Sequence, residues 1–218
     1  KVGEAIQKTQ SEIIADVSES IADRPIHIRY IRSNGPVMTL IDLPGITHVD
    51  VSNEDFDIHK ATANMVNKYI DNDNMIVLVV IPATDDFGNA EALQMVKKSD
   101  GGESRCIGVL TKCDLVPEED DTGILSKIRM VRDTDVKLEL GFVAVRNRTH
   151  KEMESLPDEL ERKEADLFST HSVLKSLDPS EWGYSTLTSK IVGLQSERVD
   201  KFIPKVKALL QAKLRELK

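Results

Sequence analysis

The chain has 218 residues, 40% hydrophobic and 30% charged, with a formal net charge of -8. That is apolar material enough for one sizeable α/β core or a domain plus an appendage, and the acidic balance argues against a general nucleic-acid binder, which needs clustered cations. Two cysteines that form no Cys-x-x-Cys pair, and a longest apolar run of "MIVLVVIPA" at 75–83, exclude a disulfide framework, a zinc site and a membrane-spanning helix.

The sparse cysteines fit a reducing, cytosolic setting, and Lys1, with no signal-peptide pattern behind it, gives the expectation of a piece of a longer protein. In "PIHIRYI", residues 25–31, Ile26, Ile28 and Tyr30 alternate with His27, Arg29 and Ile31, a strand pattern. "VMTLI", residues 37–41, reads as a second strand, and Asn34-Gly35 between the two predicts an antiparallel hairpin. Residues 53–71 read as a helix with an apolar stripe of Ile58, Ala61, Met65 and Ile70. "NMIVLVVI" predicts a buried strand, followed by a polar loop and a helix over 89–98. "CIGVLT" is a further strand, followed by a helix near 122–132 and the strand "LGFVAV". Strands alternating with helices predict a mostly parallel sheet with helices on both faces. Residues 150–168 are highly charged and predict a solvated helix or helix pair interrupted at Pro157; from Ser185 to Lys218 the chain reads as helix, broken only at Pro204.

Three of these strands end in polar groups at what would be one edge of the sheet. Asp42 closes "VMTLID", where a carboxylate can hold a cation; Pro44 stops the ladder, and Gly45 lets its amide approach an anion such as a phosphate. Alone, Asp-x-Pro-Gly is more often an ordinary strand-to-loop turn. The second cluster is Thr111-Lys112-Cys113-Asp114 after "IGVL". An aspartate there can accept hydrogen bonds from the N1–H and exocyclic amine of guanine, while the lysine stem covers the ring; adenine has an acceptor at the N1 position, so the carboxylate discriminates. As an exposed pair in isolation, Lys112 and Asp114 would count for little. The third cluster is Asn147-Arg148 after "GFVAV". The five histidines lack metal-ligand spacing and no serine sits in a Gly-x-Ser-x-Gly elbow.

With "TLIDLPGIT", "IGVLTKCD", "GFVAVRNR" and "LFSTH" in place, the sequence resembles the GTPase domain of the dynamin superfamily, most closely the Mx-like branch with the plant dynamin-related proteins. The resemblance implies a Ras-like P-loop α/β fold, incomplete at its amino terminus, with a carboxyl-terminal amphipathic helix. It places a GTPase domain at 1–200 and a hinge with a bundle-signalling helix at 201–218. It implies GTP as substrate and Mg²⁺ as cofactor, with Asp42 holding the ion through water and the Gly45 amide sensing the γ-phosphate. The implied nucleotide-binding positions are Asp42, Leu43, Pro44, Gly45 and Ile46, then Thr111, Lys112, Cys113 and Asp114, then Asn147 and Arg148. Cys113 fills the free position of its motif, where packing is the expected role. Asp85 and Asp86 would lie in a loop that crosses a dimer interface, and Pro204 would be the hinge. Implied partners are further copies of the protein, through GTPase domains and stalk, with bundle helices from segments outside these residues and lipid contact through regions also outside them. No nucleic acid is expected, and the implied location is cytoplasmic, with membrane or cytoskeleton association.

One departure is large. The 218 residues contain no Gly-Lys pair, so neither the Gly-x-x-x-x-Gly-Lys-Ser/Thr loop that cradles phosphates nor the switch threonine after it is present. "GGES" at 101–104 precedes a strand and reads as a loop. The expectation is a GTPase whose isolated 218 residues are inactive; the rival is an assembly module that does not hydrolyse nucleotide.

Overall fold

The computed structural model describes residues 2–16, 23–31, 33, 37–46, 58–85, 91–99, 101–118, 123–129 and 138–217. These fall into two compact units, residues 1–73 and 74–218.

The first unit contains α1 (Val2–Asp16) and α2 (Ile58–Ile70). The expected strands at 26–31 and 37–41 are not formed there: both stretches lack regular secondary structure, and Tyr30, Ile31, Val37 and Leu40 are exposed. Alternating apolar residues favour a strand only when a partner completes the backbone ladder and a second layer covers the apolar face. The Asn34-Gly35 turn lies outside the described residues. The buried face of α2 is Thr62, Val66 and Ile70, with Ala61 and Met65 half-buried, so the stripe is turned by one residue from the expected one. Residues 53–57 lie outside the described set. Lys68 of α2 donates to Asp23 at 2.7 Å, a contact that raises the lysine pKa through that hydrogen bond.

The second unit is built on a parallel sheet of β1 (Val77–Pro82), β2 (Cys106–Thr111) and β3 (Phe142–Ala144), in that spatial order. Between the strands come α3 (Glu91–Lys98) and α4 (Gly123–Arg129). A right-handed crossover that always steps the same way puts each connecting helix on the same face. Accordingly Leu93 and Val96 of α3 and Ile124 and Ile128 of α4 share one core with Val79, Ile81, Cys106, Leu110, Phe142 and Ala144. The alternate residues, Ile107, Val109, Val143 and Val145, point to the other face and pack with Leu187, Ile191 and Leu194. Helices therefore cover both faces. On β1 the corresponding positions Leu78 and Val80 are exposed, so the second layer stops short of this strand. Gly108 faces the Phe142 ring so closely that an added Cβ would lie 2.0 Å from a ring carbon; close approach is the reason for glycine here.

Two prolines act differently from the expectation. Pro157 does not interrupt a helix: α5 (Pro157–Thr170) starts on it, where a missing amide costs nothing, and Asp158 and Glu159 follow in the first turn. Nor is the segment wholly solvated, since Glu152 and Glu164 are buried. Pro204 lies inside α6 (Tyr184–Glu216), a single helix of 33 residues that runs through it. A proline deletes one i to i−4 hydrogen bond and strains the preceding turn, but the bonds on either side carry the helix past it. The first part of α6 is anchored: Leu187 is buried, the Lys190 ammonium donates to the Leu140 carbonyl at 3.3 Å, and Arg198 donates to the Met75 carbonyl at 3.1 Å. Residues 201–217 are exposed throughout, including Phe202, Ile203, Leu209, Leu210 and Leu214. Among the described residues no helix is long and apolar enough to cross a membrane.

Candidate functional site

Because the three strands are parallel, their carboxyl ends lie along one edge of the sheet. Pairing continues just past the strands: the Ala83 amide donates to the Thr111 carbonyl at 2.7 Å, and the Val145 amide to the Leu110 carbonyl at 2.8 Å. Thr111 to Asp114 and Arg146 to Arg148 therefore leave the sheet side by side.

At the end of β2 the backbone turns sharply. Lys112 has φ 57 and ψ 34, and it alone among the described non-glycine residues has a positive φ. For a residue with a Cβ this left-handed conformation costs about 1–2 kcal/mol, a strain of the kind held at functional sites. The turn passes at once into a one-turn 3-10 helix, Cys113–Leu115, with the Leu115 amide donating to the Lys112 carbonyl at 3.0 Å. Cys113 is fully buried and its thiol donates to the Leu110 carbonyl, so its side chain anchors the turn and is not offered to a ligand. Burial pushes this thiol up to about 12, and that of Cys106 up to about 11, which keeps both protonated and unreactive. On either side of buried Cys113, Lys112 and Asp114 are exposed.

The end of β3 is held by two glutamates that motif reading does not single out. Arg146 is half-buried, and its guanidinium donates twice to the Glu152 carboxylate, at 2.9 and 3.1 Å. Glu152 also accepts from the Thr149 amide and hydroxyl, each at 2.9 Å, and from the Lys163 ammonium at 3.0 Å. The signal for this was present in Thr149-x-x-Glu152, the pattern of a capping box. Glu164, on α5, accepts from the Arg146 amide at 2.8 Å. With Arg146 fixed at backbone and side chain, Asn147 and Arg148 follow β3 as exposed residues, at the strand end next to the β2 end that leads into Lys112 and Asp114. His171 braces the loop after Asp114: its Nδ1 accepts from the Val173 and Leu174 amides, which leaves Nε2 to donate to the Val116 carbonyl at 3.0 Å. Beside it, Ser172 bonds Glu118 through both its amide and its hydroxyl.

Of the other expected positions, Asp85 is exposed just past β1, and Asp86 lies outside the described residues. Asp42, Leu43, Pro44, Gly45 and Ile46 belong to the first unit, where Asp42 is exposed and Leu43 and Ile46 are half-buried. Among the described residues no group of three acidic, histidine or cysteine side chains could cage a metal.

The ion network has a pH consequence. The Arg146 guanidinium, the Thr149 amide and the Lys163 ammonium hold the Glu152 carboxyl far below its ordinary 4.5. A carboxyl depressed on folding stabilises the fold above its unfolded pKa, and that stabilisation is lost as pH falls toward the folded value. Thermal unfolding followed from pH 7 to pH 3 is therefore expected to show Tm falling once the pH drops through about 4.5. Glu152→Gln is expected to start from a lower Tm and to fall less steeply; equal slopes for the two proteins would show that the network does not stabilise the fold.

Comparison with known proteins bears on the family. The Dynamin family model matches residues 1–113, and the model of the Dynamin central region matches residues 127–218. The chain is 33% identical to Dynamin-related protein 4C of Arabidopsis thaliana, over 98% of this chain and 30% of that protein. It is 32% identical to Interferon-induced GTP-binding protein Mx of Ctenopharyngodon idella, over 98% of this chain and 34% of the relative. Vacuolar protein sorting-associated protein 1 of Schizosaccharomyces pombe is 31% identical over 95% of the chain, which spans 31% of that relative. Two family models and a relative matched across nearly the whole sequence lead to one assignment: the chain belongs to the dynamin family.

Proposed function

We propose that this chain carries the guanine-reading side of a dynamin-like GTPase, which converts GTP and water to GDP and phosphate. The observation that carries the reading is the strained Lys112 turn, with Asp114 exposed beside it and Asn147 and Arg148 at the neighbouring strand end. In this reading the Asp114 carboxylate accepts from the guanine N1–H and exocyclic amine, the Lys112 stem lies along the ring, and Asn147 and Arg148 line the base and ribose side. Thr111 supports the turn from β2. By the family resemblance, the Gly45 amide, in the run Leu43-Pro44-Gly45-Ile46, would approach the γ-phosphate.

Mg²⁺ commonly keeps several waters and takes one or two carboxylates, the nucleotide phosphates completing its shell. A single exposed carboxylate such as Asp42 suits that mode and needs no acidic cage. Bound there, the ion would neutralise phosphate charge. In-line attack by water also needs cationic and amide groups around the transferred phosphoryl, and the 218 residues lack the Gly-Lys loop that supplies them. The isolated chain should therefore bind GTP weakly and turn over none.

The exposed apolar residues of α6 beyond residue 200 support an assembly role. Ile203, Val206, Leu210 and Leu217 recur at helical spacing, flanked by Leu209 and Leu214, while Lys205, Lys207, Gln211 and Arg215 occupy much of the remaining surface. Residues 201–218 would act as a bundle-signalling helix hinged at Pro204 on a GTPase domain of residues 1–200. Self-association would run through that bundle and through the loop of Asp85 and Asp86. The buried, unreactive thiols suit a cytosolic location. The experiment is GTP turnover by the natural protein with Mg²⁺, beside titration of GTP into the 218-residue chain. Turnover by the first and no tight binding by the second are expected. Assembly without turnover by the natural protein would instead favour a non-hydrolysing module.

A further inference from the structure

Glu164 stands at a junction between the candidate base site and the long helix. It is 5% exposed on α5, and its two carboxylate oxygens serve different elements. One accepts from the Arg146 amide at 2.8 Å, just beyond the last pairing of β3; the other accepts from the Tyr184 amide, also at 2.8 Å, at the first residue of α6. Gly183, at φ 97, has no side chain to cap α6, so this carboxylate supplies the cap from another helix. The backbone reinforces the junction: the Ala144 amide donates to the Glu181 carbonyl and the Gly183 amide to the Ala144 carbonyl, each at 2.8 Å. One turn along α5 from Glu164, Phe168 stacks on Trp182 with ring centroids 4.7 Å apart.

We infer that Glu164 is a positioning residue for nucleotide binding: it fixes the backbone from which Asn147 and Arg148 project, and by the same carboxylate it ties that loop to the start of α6. The inference rests on the proposed guanine-binding role of this edge. Glu164 touches no nucleotide itself. It acts through the Arg146 amide, and because one rigid group serves both amides, a shift of the loop on binding is transmitted to Tyr184.

Glu164→Gln is the informative substitution, because it keeps the shape but sets an NH₂ donor against one of the two backbone donors. In the natural protein it is expected to raise the KM for GTP about tenfold while kcat stays within about twofold, the equivalent of one charge-assisted hydrogen bond. Leu93→Ala, a core truncation on α3 that spares the junction, should lower Tm without that rise in KM. In the wild type, GDP is expected to slow hydrogen exchange at the Arg146 and Tyr184 amides together, a measurement that stands even if the Gln variant fails to fold. An unchanged KM in a folded Glu164→Gln protein, or a Tyr184 amide indifferent to GDP in the wild type, would overturn the inference alone. Wild-type protein that neither binds nor turns over GTP would overturn the guanine reading and this inference with it.

Discussion

Asp114→Asn is expected to weaken GTP binding by the natural protein about tenfold to a hundredfold, the loss of a charge-assisted hydrogen bond to the base. The same substitution should raise affinity for xanthosine triphosphate. Xanthine carries a carbonyl where guanine carries its exocyclic amine, and the new amide can donate to it. The turn is built to survive the change: its anchor is buried Cys113, the Asp114 side chain is exposed, and an amide has the shape of the carboxylate it replaces. Competition titration with the two nucleotides measures the preference. A variant that binds GTP as before and ignores xanthosine triphosphate would show that Asp114 does not read the base.

Phe168→Ala is expected to cost about 3–5 kcal/mol of stability, the range for deleting a buried aromatic ring whose surroundings relax only in part. Phe168 is 2% exposed, lies in the core under the sheet, and stacks on Trp182 with an interplanar angle of 12°. Trp182 is the single tryptophan of the chain, so its fluorescence reports the site directly. Denaturant unfolding should show a lower midpoint, and native emission should shift to the red as the indole gains water. Phe168→Leu refills much of the volume and should recover part of the loss. A loss below about 1 kcal/mol for the alanine variant would mean that the ring does not hold α5 to the junction.

What could be read from the residues, and what could not, divides along the range of the interactions. "NMIVLVVI" and "CIGVLT" form strands in the structure because each lies next to another strand and is covered by helices. "PIHIRYI" and "VMTLI" have similar local chemistry without a ladder, and no window of seven residues contains that information. Pro157 and Pro204 have the same ring, yet one starts a helix and the other is carried within one, a difference decided by the turns on either side. Of the three polar clusters expected at strand ends, those at Thr111–Asp114 and Asn147–Arg148 do follow strands, and the one at Asp42 does not. The supports of the first two were less legible: Glu164 sits in the charged run "DELERKEAD", where it looks like any solvated residue. Only the fold brings the Arg146 and Tyr184 amides to it from 18 and 20 residues away. The left-handed backbone at Lys112 was equally invisible, since lysine gives no sign of it and a glycine would have.

The length of α6 has a mechanical consequence. At about 1.5 Å per residue its 33 residues extend about 50 Å, and the 18 residues beyond Arg198 about 27 Å, so while the helix stays straight through Pro204 a tilt of about 5° at Arg198 displaces Glu216 by about 2 Å. Its near portion is pinned by Lys190 and Arg198, its far portion is exposed, and it starts on a carboxylate shared with the β3 edge. The helix is thus a lever with a short, gripped arm and a long, free one. Small angular changes at the sheet edge become displacements of ångströms at its tip, and a pair of spectroscopic labels, one at exposed residue 161 of α5 and one at residue 214, would read them as distance.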